Sequence, residues 1–200
     1  MKEQLQKDFD NTIKNLSLSQ KDIEIKKFSL DNFINKGFPN RKEEDWKFSD
    51  LNQIINKNIG ELSFYNDYTS TNKVDTSVFV DGLEHNKIVF INGRIEKIDF
   101  DYEKKGQIEI IDQSETINKF DNNNSLSDLN NAFTNKCFKI VIKTGYQLLK
   151  PLIIYHTTNS KIWSKNINLR LDFELQDDSC LRLIAVSYTH LRAHETVRNL

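Results

Sequence analysis

The feature of this sequence that most restricts its fold is a set of short segments with a two-residue period, beginning after Phe133. The most regular segment is Ile167–Gln176, in which apolar residues alternate with polar residues throughout. Successive side chains of a strand point to opposite faces, so this pattern is typical of a half-buried strand. Three further strands are predicted at Phe138–Lys143, Leu152–His156 and Leu181–Ile184.

The connections between these predicted strands are short and polar. Gly145, Pro151 and the Asp177–Ser179 segment interrupt the alternation, and no amphipathic segment of helical length lies between the strands. A sheet with helical crossovers is therefore disfavoured. The remaining arrangements are a β-sandwich, a meander, or successive coils of a β-helix, and periodicity alone does not choose among them.

Two helices are predicted before the strands, one over residues 3–16 and one from about Gln20 to Lys36. Gly37 and Pro39 follow the second helix and predict its end. We interpret both helices as packing elements whose apolar stripes face the core, namely Leu5, Phe9, Ile13 and Leu16 in the first and Ile23, Leu30, Phe33 and Ile34 in the second.

The central part of the chain carries further local signals. Asn92-Gly93 separates two apolar runs, Ile88–Ile91 and Arg94–Ile98, and predicts a hairpin with a type I′ turn. A short strand is predicted at Gln107–Ile111 and a capped helical turn at Ser125–Phe133, whereas residues 59–86 are loop-like. Upstream, Trp46 and Phe48 lie within a charged cluster and are predicted to anchor that segment.

Composition limits the class of partner. The 28 basic and 29 acidic residues nearly cancel, and no basic stripe favours nucleic-acid binding. No apolar run has the length of a signal peptide or a membrane span, so we expect no membrane association and a cytoplasmic location. Cys137 and Cys180 are expected to be buried, reduced side chains.

Few residues qualify as site candidates. Cys137 and Cys180 form no C-x-x-C motif, and we interpret His85, in a loop, and His156, at a strand end, as structural. His190 and His194 are four residues apart and precede Glu195, a spacing that aligns both imidazoles on one helix face. However, Ser187–Val197 resembles the translation of a sequencing adapter, and the Asn/Lys-rich usage stops there. We therefore predict no catalytic, cofactor-binding or metal residue, and a foreign tail from roughly Val186 onward.

Four stretches, in order along residues 25–184, together carry a family resemblance. The first is Gly37-Phe38-Pro39 with Arg41, Glu44, Trp46 and Phe48; the second is the KIVFINGR run at Lys87–Arg94. The third comprises Leu129-Asn130, Ala132-Phe133, Ile140–Gly145 and Lys150-Pro151-Leu152. The fourth comprises Asn168, Arg170, Asp178-Ser179, Leu181 and Leu183-Ile184. In this order the four stretches resemble the SufD branch of the SufB/SufD family, except that Ala185 replaces the family's glutamate.

The resemblance implies an α+β chain, with an N-terminal helical region followed by the first coils of a right-handed parallel β-helix. We accordingly expect a helical region at 1–58, a β-rich region at 59–186 and a non-native tail at 187–200. It also implies a non-enzymatic scaffold subunit of the SUF iron–sulfur cluster assembly machinery, which pairs with SufB through the β-helix. The ATPase SufC, which binds ATP, would be engaged through a later C-terminal helical domain.

This chain departs from the family pattern in what it lacks. The family's cluster-related Cys and His positions lie in later coils, so Cys137 and Cys180 inherit no ligand role and no cofactor is expected in this truncated piece. We expect the isolated fragment to be aggregation-prone and to bind neither SufC nor a cluster. A β-helix carbohydrate-active enzyme and a β-rich interaction module are the alternatives.

Overall fold

The structure is a computed structural model that describes residues 2–14, 16, 18–58, 62–65, 72–114, 124–159, 162 and 165–189. It is an α+β protein. Its helices are α1 (Lys2–Lys14), α2 (Gln20–Lys36), α3 (Leu51–Asn58) and α4 (Ser125–Phe133), with short 3₁₀ helices at Glu44–Trp46 and Thr76–Val78. Its strands are β1 (Asn86–Ile91), β2 (Arg94–Asp99), β3 (Ile108–Asp112), β4 (Lys136–Ile142), β5 (Leu152–Thr158), β6 (Leu169–Leu175) and β7 (Leu183–Thr189).

Helix α2 has the bounds that its capping residues predict. Ser19 caps the N-terminus by accepting a hydrogen bond from the backbone N–H of Asp22. At the other end Gly37 has a φ of 73°, and its N–H donates to the carbonyl of Phe33 at 2.7 Å. Glycine adopts this left-handed conformation without the steric cost of a Cβ, so the helix ends where the sequence indicates.

The strands form two mixed sheets, with the orders β2-β1-β5-β7 and β3-β4-β6. The β1–β2 and β3–β4 pairs are antiparallel, whereas β1–β5, β5–β7 and β4–β6 are parallel. Consecutive strands from β4 to β7 therefore belong alternately to one sheet and to the other. A meander, in which consecutive strands pair antiparallel, does not describe these four strands.

The β1–β2 hairpin confirms the strongest local prediction. Asn92 and Gly93 have φ angles of 52° and 81°, the two positive values that a type I′ turn requires. The register slips between Val89 and Phe90, where the ladder contains a bulge. The turn therefore fixes the connection, and the bulge adjusts the pairing further along the strand.

The chain divides into two compact units, each assembled from segments that are distant in sequence. Unit 1 comprises residues 1–67, 105–147 and 164–180, and unit 2 comprises residues 68–104, 148–163 and 181–200. The core of unit 1 is rich in aromatic residues and includes Phe9, Phe33, Phe38 and Phe133, with the partly buried Phe64 packed against it. The core of unit 2 includes Val89, Ile91, Ile153 and Tyr155, with Phe79 and Val186 packed against it. The linear division at residues 58 and 186 stays a prediction.

The prediction that Phe48 anchors its segment is wrong. Its side chain is 88% exposed, and Trp46 is only half-buried in the 3₁₀ helix. Phe38 takes the anchoring position instead, because it follows the end of α2 directly and packs edge-on against Phe33 at 4.9 Å. At the surface, the Nζ of Lys47 lies over the ring of Phe48, 5.3 Å from its centroid.

Two strand predictions also needed correction. The two-residue period of Phe138–Lys143 places Val141 on the outer face with Lys139 and Lys143, but Val141 is buried, because β4 is the central strand of its sheet and is covered on both faces. The strand predicted at Leu181–Ile184 runs instead from Leu183 to Thr189, since its backbone stays paired with β5 after the apolar alternation stops. Across the described ranges, no helix is both long and apolar enough to cross a membrane.

Candidate interaction surface

Strand β7 forms one of the two edges of the sheet in unit 2. On its inner side, β7 pairs with β5 from Leu152↔Leu183 to Thr158↔Thr189, and none of the described residues pairs with its other side. Leu183, Ile184 and Tyr188 are 44%, 41% and 38% exposed. A strand edge of this kind presents unpaired N–H and C=O groups that another strand can bind.

The other three strands at sheet edges carry charged residues, which are Arg94, Glu96, Lys97 and Asp99 in β2, Glu109 and Asp112 in β3, and Arg170, Asp172 and Glu174 in β6. Lys143 pairs with Glu109 at 2.6 Å, Lys136 lies 3.5 Å from Asp112, and Lys139 pairs with Glu174. Charged edges resist pairing with a second chain, because pairing would desolvate them. In contrast, Leu183–Tyr188 contains no charged residue.

Asparagine side chains connect α4 to the start of β6 in unit 1. Asn130 donates to the carbonyl of Leu169 at 3.2 Å, and Asn168 donates to the side-chain oxygen of Asn130 at 3.1 Å. Asn168 is 4% exposed, so these bonds satisfy polar groups that water does not reach. Asn130 and Asn168 belong to two of the segments that resemble the SufB/SufD family, and here they contact each other.

Glu103 holds the approach to β5 in unit 2. Its carboxylate accepts hydrogen bonds from the backbone N–H groups of Leu149 and Lys150, at 3.2 and 3.1 Å. It also accepts from the side-chain amide of Asn86 at 2.6 Å, and this amide donates in addition to the carbonyl of Lys150 at 3.0 Å. The segment before Pro151 is thereby fixed beside β1, which aligns β5 for parallel pairing.

Sequence reasoning missed Lys26, which is completely buried in unit 1. Its ammonium group donates to the carbonyls of Asn131, Ala132 and Thr134 at 3.2, 3.4 and 2.5 Å, and so caps the C-terminal end of α4. Burial lowers the pKa of Lys26 from 10.5 to about 8, against the opposing attraction of Asp22. Its position four residues before Leu30 on the core face was the available signal.

The two histidines interpreted as structural lie within unit 2. The Nδ1 of His85 is 2.5 Å from the carbonyl of Leu83, and its Nε2 is 2.8 Å from the hydroxyl of Tyr155. A carbonyl only accepts, so Nδ1 carries the proton and Nε2 accepts from Tyr155. The ring of His156 stacks on Phe90 at 5.1 Å, and burial lowers the pKa of His156. Both histidines take part in packing.

The two cysteines have different environments, and both are free thiols. Cys137 is buried as expected, and desolvation, with the nearby Asp172, raises its pKa. The expectation that Cys180 is also buried is wrong, because it follows the turn after β6, beyond the packed part of the strand. The environment of Cys137 does not favour a thiolate ligand, since burial disfavours the charged form of the thiol.

His190, His194 and Glu195 lie outside the described residues. Among the residues that are described, no group of three or more Cys, His, Asp or Glu side chains is arranged to hold a metal ion. A scan of the sequence against protein-family models finds no match, and a search of curated proteins also finds none.

Proposed function

We propose that this chain is a scaffold subunit of an iron–sulfur cluster assembly machinery, similar to SufD and a partner of SufB and SufC. The observation that carries the proposal is the spacing of the parallel strand pairs. Lys136 pairs with Leu169 and Leu152 with Leu183, so strands of the same sheet recur after 33 and 31 residues. An isolated parallel bridge between Gln147 and Cys180 has the same spacing of 33 residues.

This spacing supports successive coils of a parallel β-helix. In a solenoid, the chain visits each sheet in turn and returns to it after a nearly constant number of residues. The pairing of Asn86 with Leu152, 66 residues apart, is about twice this distance. The longer stretch between these two strands contains the β2 strand and helix α4, which would be additions to the winding.

The contacts among the family-like segments support the same proposal. The KIVFINGR run forms β1 and pairs in parallel with the strand that begins at Leu152 of the Lys150-Pro151-Leu152 segment. Asn130 and Asn168, from two other segments, share a hydrogen bond at 3.1 Å. Residues that carry the resemblance thus contact one another within each unit, as residues that maintain one fold would.

The cluster enters this proposal as cargo of the assembled complex. Cys137 and Cys180 lie in different surroundings, one buried and one exposed, and the described residues offer no built metal site. The carbohydrate-active alternative needs a cleft with two carboxylates. Two surface cavities are each lined by one carboxylate, Asp75 in unit 2 and Asp172 in unit 1. Neither cavity holds the carboxylate pair with which a glycoside hydrolase supplies its acid and its base.

Co-expression with bacterial SufB and SufC tests the proposal. The affinity-tagged chain is captured and the complex is analysed by native mass spectrometry, with a tagged β-helix protein of another family as control. We expect SufB to be retained on the tagged chain, whether or not SufC accompanies it. Failure to retain SufB, under conditions where full-length SufD retains it, would contradict the proposal.

A matched pair of variants tests whether the capture of SufB requires the packed β5 strand. Ile154, at the centre of β5, is 2% exposed, whereas Ile98, on β2, is 47% exposed. We expect Ile154→Asp to abolish the capture of SufB and Ile98→Asp to leave it intact. Turnover of polysaccharides by the purified chain would instead support the carbohydrate-active alternative.

A further inference from the structure

Asn92 and Gly93, at the turn of the β1–β2 hairpin, are the only Asn-Gly pair of the sequence. In such a pair the glycine nitrogen, which no neighbouring Cβ shields, is able to attack the side-chain amide carbon of the asparagine. We propose that Asn92 is a site of spontaneous deamidation, that its pairing with Asn159 keeps it unreactive in the folded chain, and that it reacts when this pairing opens. The proposal goes beyond the scaffold function and does not depend on it.

The reaction needs water as its only co-reactant. The backbone nitrogen of Gly93 forms a bond with the Cγ of Asn92, the Cγ–Nδ2 bond breaks, and ammonia leaves with the proton of the Gly93 N–H. Water then opens the resulting succinimide at one of its two carbonyl carbons. One opening gives aspartate, and the other gives isoaspartate, in which the main chain runs through the former side chain. The net change replaces a side-chain amide by a carboxyl group without oxidation or reduction.

The fold holds both ends of the Asn92 side-chain amide on Asn159. The Nδ2 of Asn92 donates to the Oδ1 of Asn159 at 2.9 Å, and the Oδ1 of Asn92 accepts from the backbone N–H of Asn159 at 3.0 Å. The backbone N–H of Asn92 donates to the carbonyl of Thr157 at 2.9 Å, and Asn92 is only 1% exposed. To turn its Cγ toward the nitrogen of Gly93, Asn92 has to break both side-chain hydrogen bonds in a place that water does not reach.

Either product prevents the hairpin from closing as before. An aspartate at position 92 has no donor for the Oδ1 of Asn159, and it would bury a carboxylate beside that acceptor. Asn159 is not free to turn its own amide toward the carboxylate, because its Nδ2 already donates to the Oδ1 of Asn72 at 2.9 Å. Isoaspartate lengthens the main chain within the type I′ turn, so the two-residue connection no longer fits the strands. Each opening that leads to reaction therefore leaves a permanent mark in the hairpin.

Peptide mass spectrometry of the full chain, after incubation at mildly alkaline pH, measures the conversion of Asn92. We expect the native chain to react at least about tenfold more slowly than the same chain unfolded in urea. Asn159→Ala removes the acceptor of the Asn92 Nδ2, and we expect it to accelerate the native reaction by about fivefold to tenfold. Glu103→Gln is the matched control, because it weakens a hydrogen bond to Asn86 at the opposite end of β1 in the same unit, and we expect it to leave the rate unchanged.

Hydrogen exchange keeps the test informative if Asn159→Ala folds poorly. In the wild-type chain, at urea concentrations below the unfolding transition, the deamidation rate should rise in step with the exchange rate of the Asn92 backbone amide, which the bond to Thr157 protects. A deamidation rate that does not follow this exchange overturns the proposal, as do equal rates in the native and unfolded chains. A folded Asn159→Ala variant with the wild-type rate also overturns it. Equal acceleration by Glu103→Gln and Asn159→Ala overturns it as well, because the reaction would then follow global unfolding.

Discussion

Replacing Lys26 by methionine tests the most heavily buried charge of the molecule. The methionine side chain fills a similar volume but carries no donor, so the carbonyls of Asn131, Ala132 and Thr134 lose their shared partner. These carbonyls lie at and just beyond the C-terminal end of α4, where an intrahelical donor is missing. We expect α4, and with it unit 1, to become less stable.

The expected magnitude follows from the acceptors that lose their donor. A buried carbonyl left without its hydrogen bond costs about 1–3 kcal/mol. The bonds to Asn131 and Ala132 are long, at 3.2 and 3.4 Å, so most of the loss falls on the carbonyl of Thr134, and we expect Lys26→Met to cost about 2–4 kcal/mol.

Urea unfolding followed by far-ultraviolet circular dichroism measures this loss. Lys27→Met is the control, because Lys27 is the neighbouring lysine of the same helix and is exposed. We expect the control to change the free energy of unfolding by less than about 0.5 kcal/mol. A Lys26→Met variant that unfolds at the same urea concentration as the wild type would refute the capping role.

The pH dependence tests the lowered pKa separately. Between pH 8 and 10.5 the unfolded chain retains a proton that Lys26 has released in the folded chain, so the folded state is favoured as the pH rises. We therefore expect the stability of the wild type, relative to Lys26→Met, to increase by up to roughly 3 kcal/mol from pH 7 to 10.5. A difference that shrinks with rising pH would mean that the carbonyls outweigh desolvation, and would refute this reasoning.

Three further predictions concern other buried groups. Tyr155→Phe should destabilise the protein by about 1–3 kcal/mol in urea unfolding, because the imidazole of His85 and the backbone N–H of Val80 both lose the tyrosine hydroxyl as partner. The control Tyr102→Phe, at an exposed site, should not change the stability. Glu103→Gln should lower the free energy of unfolding by about 1–2 kcal/mol in the same assay, because it removes the charge that strengthens three hydrogen bonds. An unchanged urea midpoint would contradict this prediction. Iodoacetamide should label the exposed Cys180 well before the buried Cys137. Peptide mass spectrometry after timed quenching measures the order of labelling, and labelling of Cys137 first would contradict this prediction.

Signals that act over a few residues allowed accurate prediction of local structure. The bounds of α2 follow from its cap residues, and the β1–β2 hairpin follows from Asn92-Gly93, because a single backbone conformation decides each. The alternation within Leu169–Leu175 likewise marks β6 correctly. Each of these features depends on the segment itself and not on its neighbours.

Features that depend on distant residues were missed. Lys26 was not recognised as a core residue, because a lysine on a helix is normally solvated and its three acceptors lie more than 100 residues away. Phe38 and Phe48 are both aromatic and lie in one segment, yet only the first reaches a partner, Phe33. Composition does not reveal which of two similar side chains packs against the core.

The parallel pairing shows most clearly where local reasoning ends. A two-residue period assigns each side chain to a face, but the partner of a parallel strand is 31 to 66 residues away and leaves no mark on that period. The alternation stops after Ile184, yet β7 continues to Thr189, because β5 supplies the backbone partners and Val186 still packs against the core. What distinguishes β7 from the other strands at sheet edges is its lack of charge, which the sequence shows, whereas its place at an edge of the described sheet is known only from the pairing.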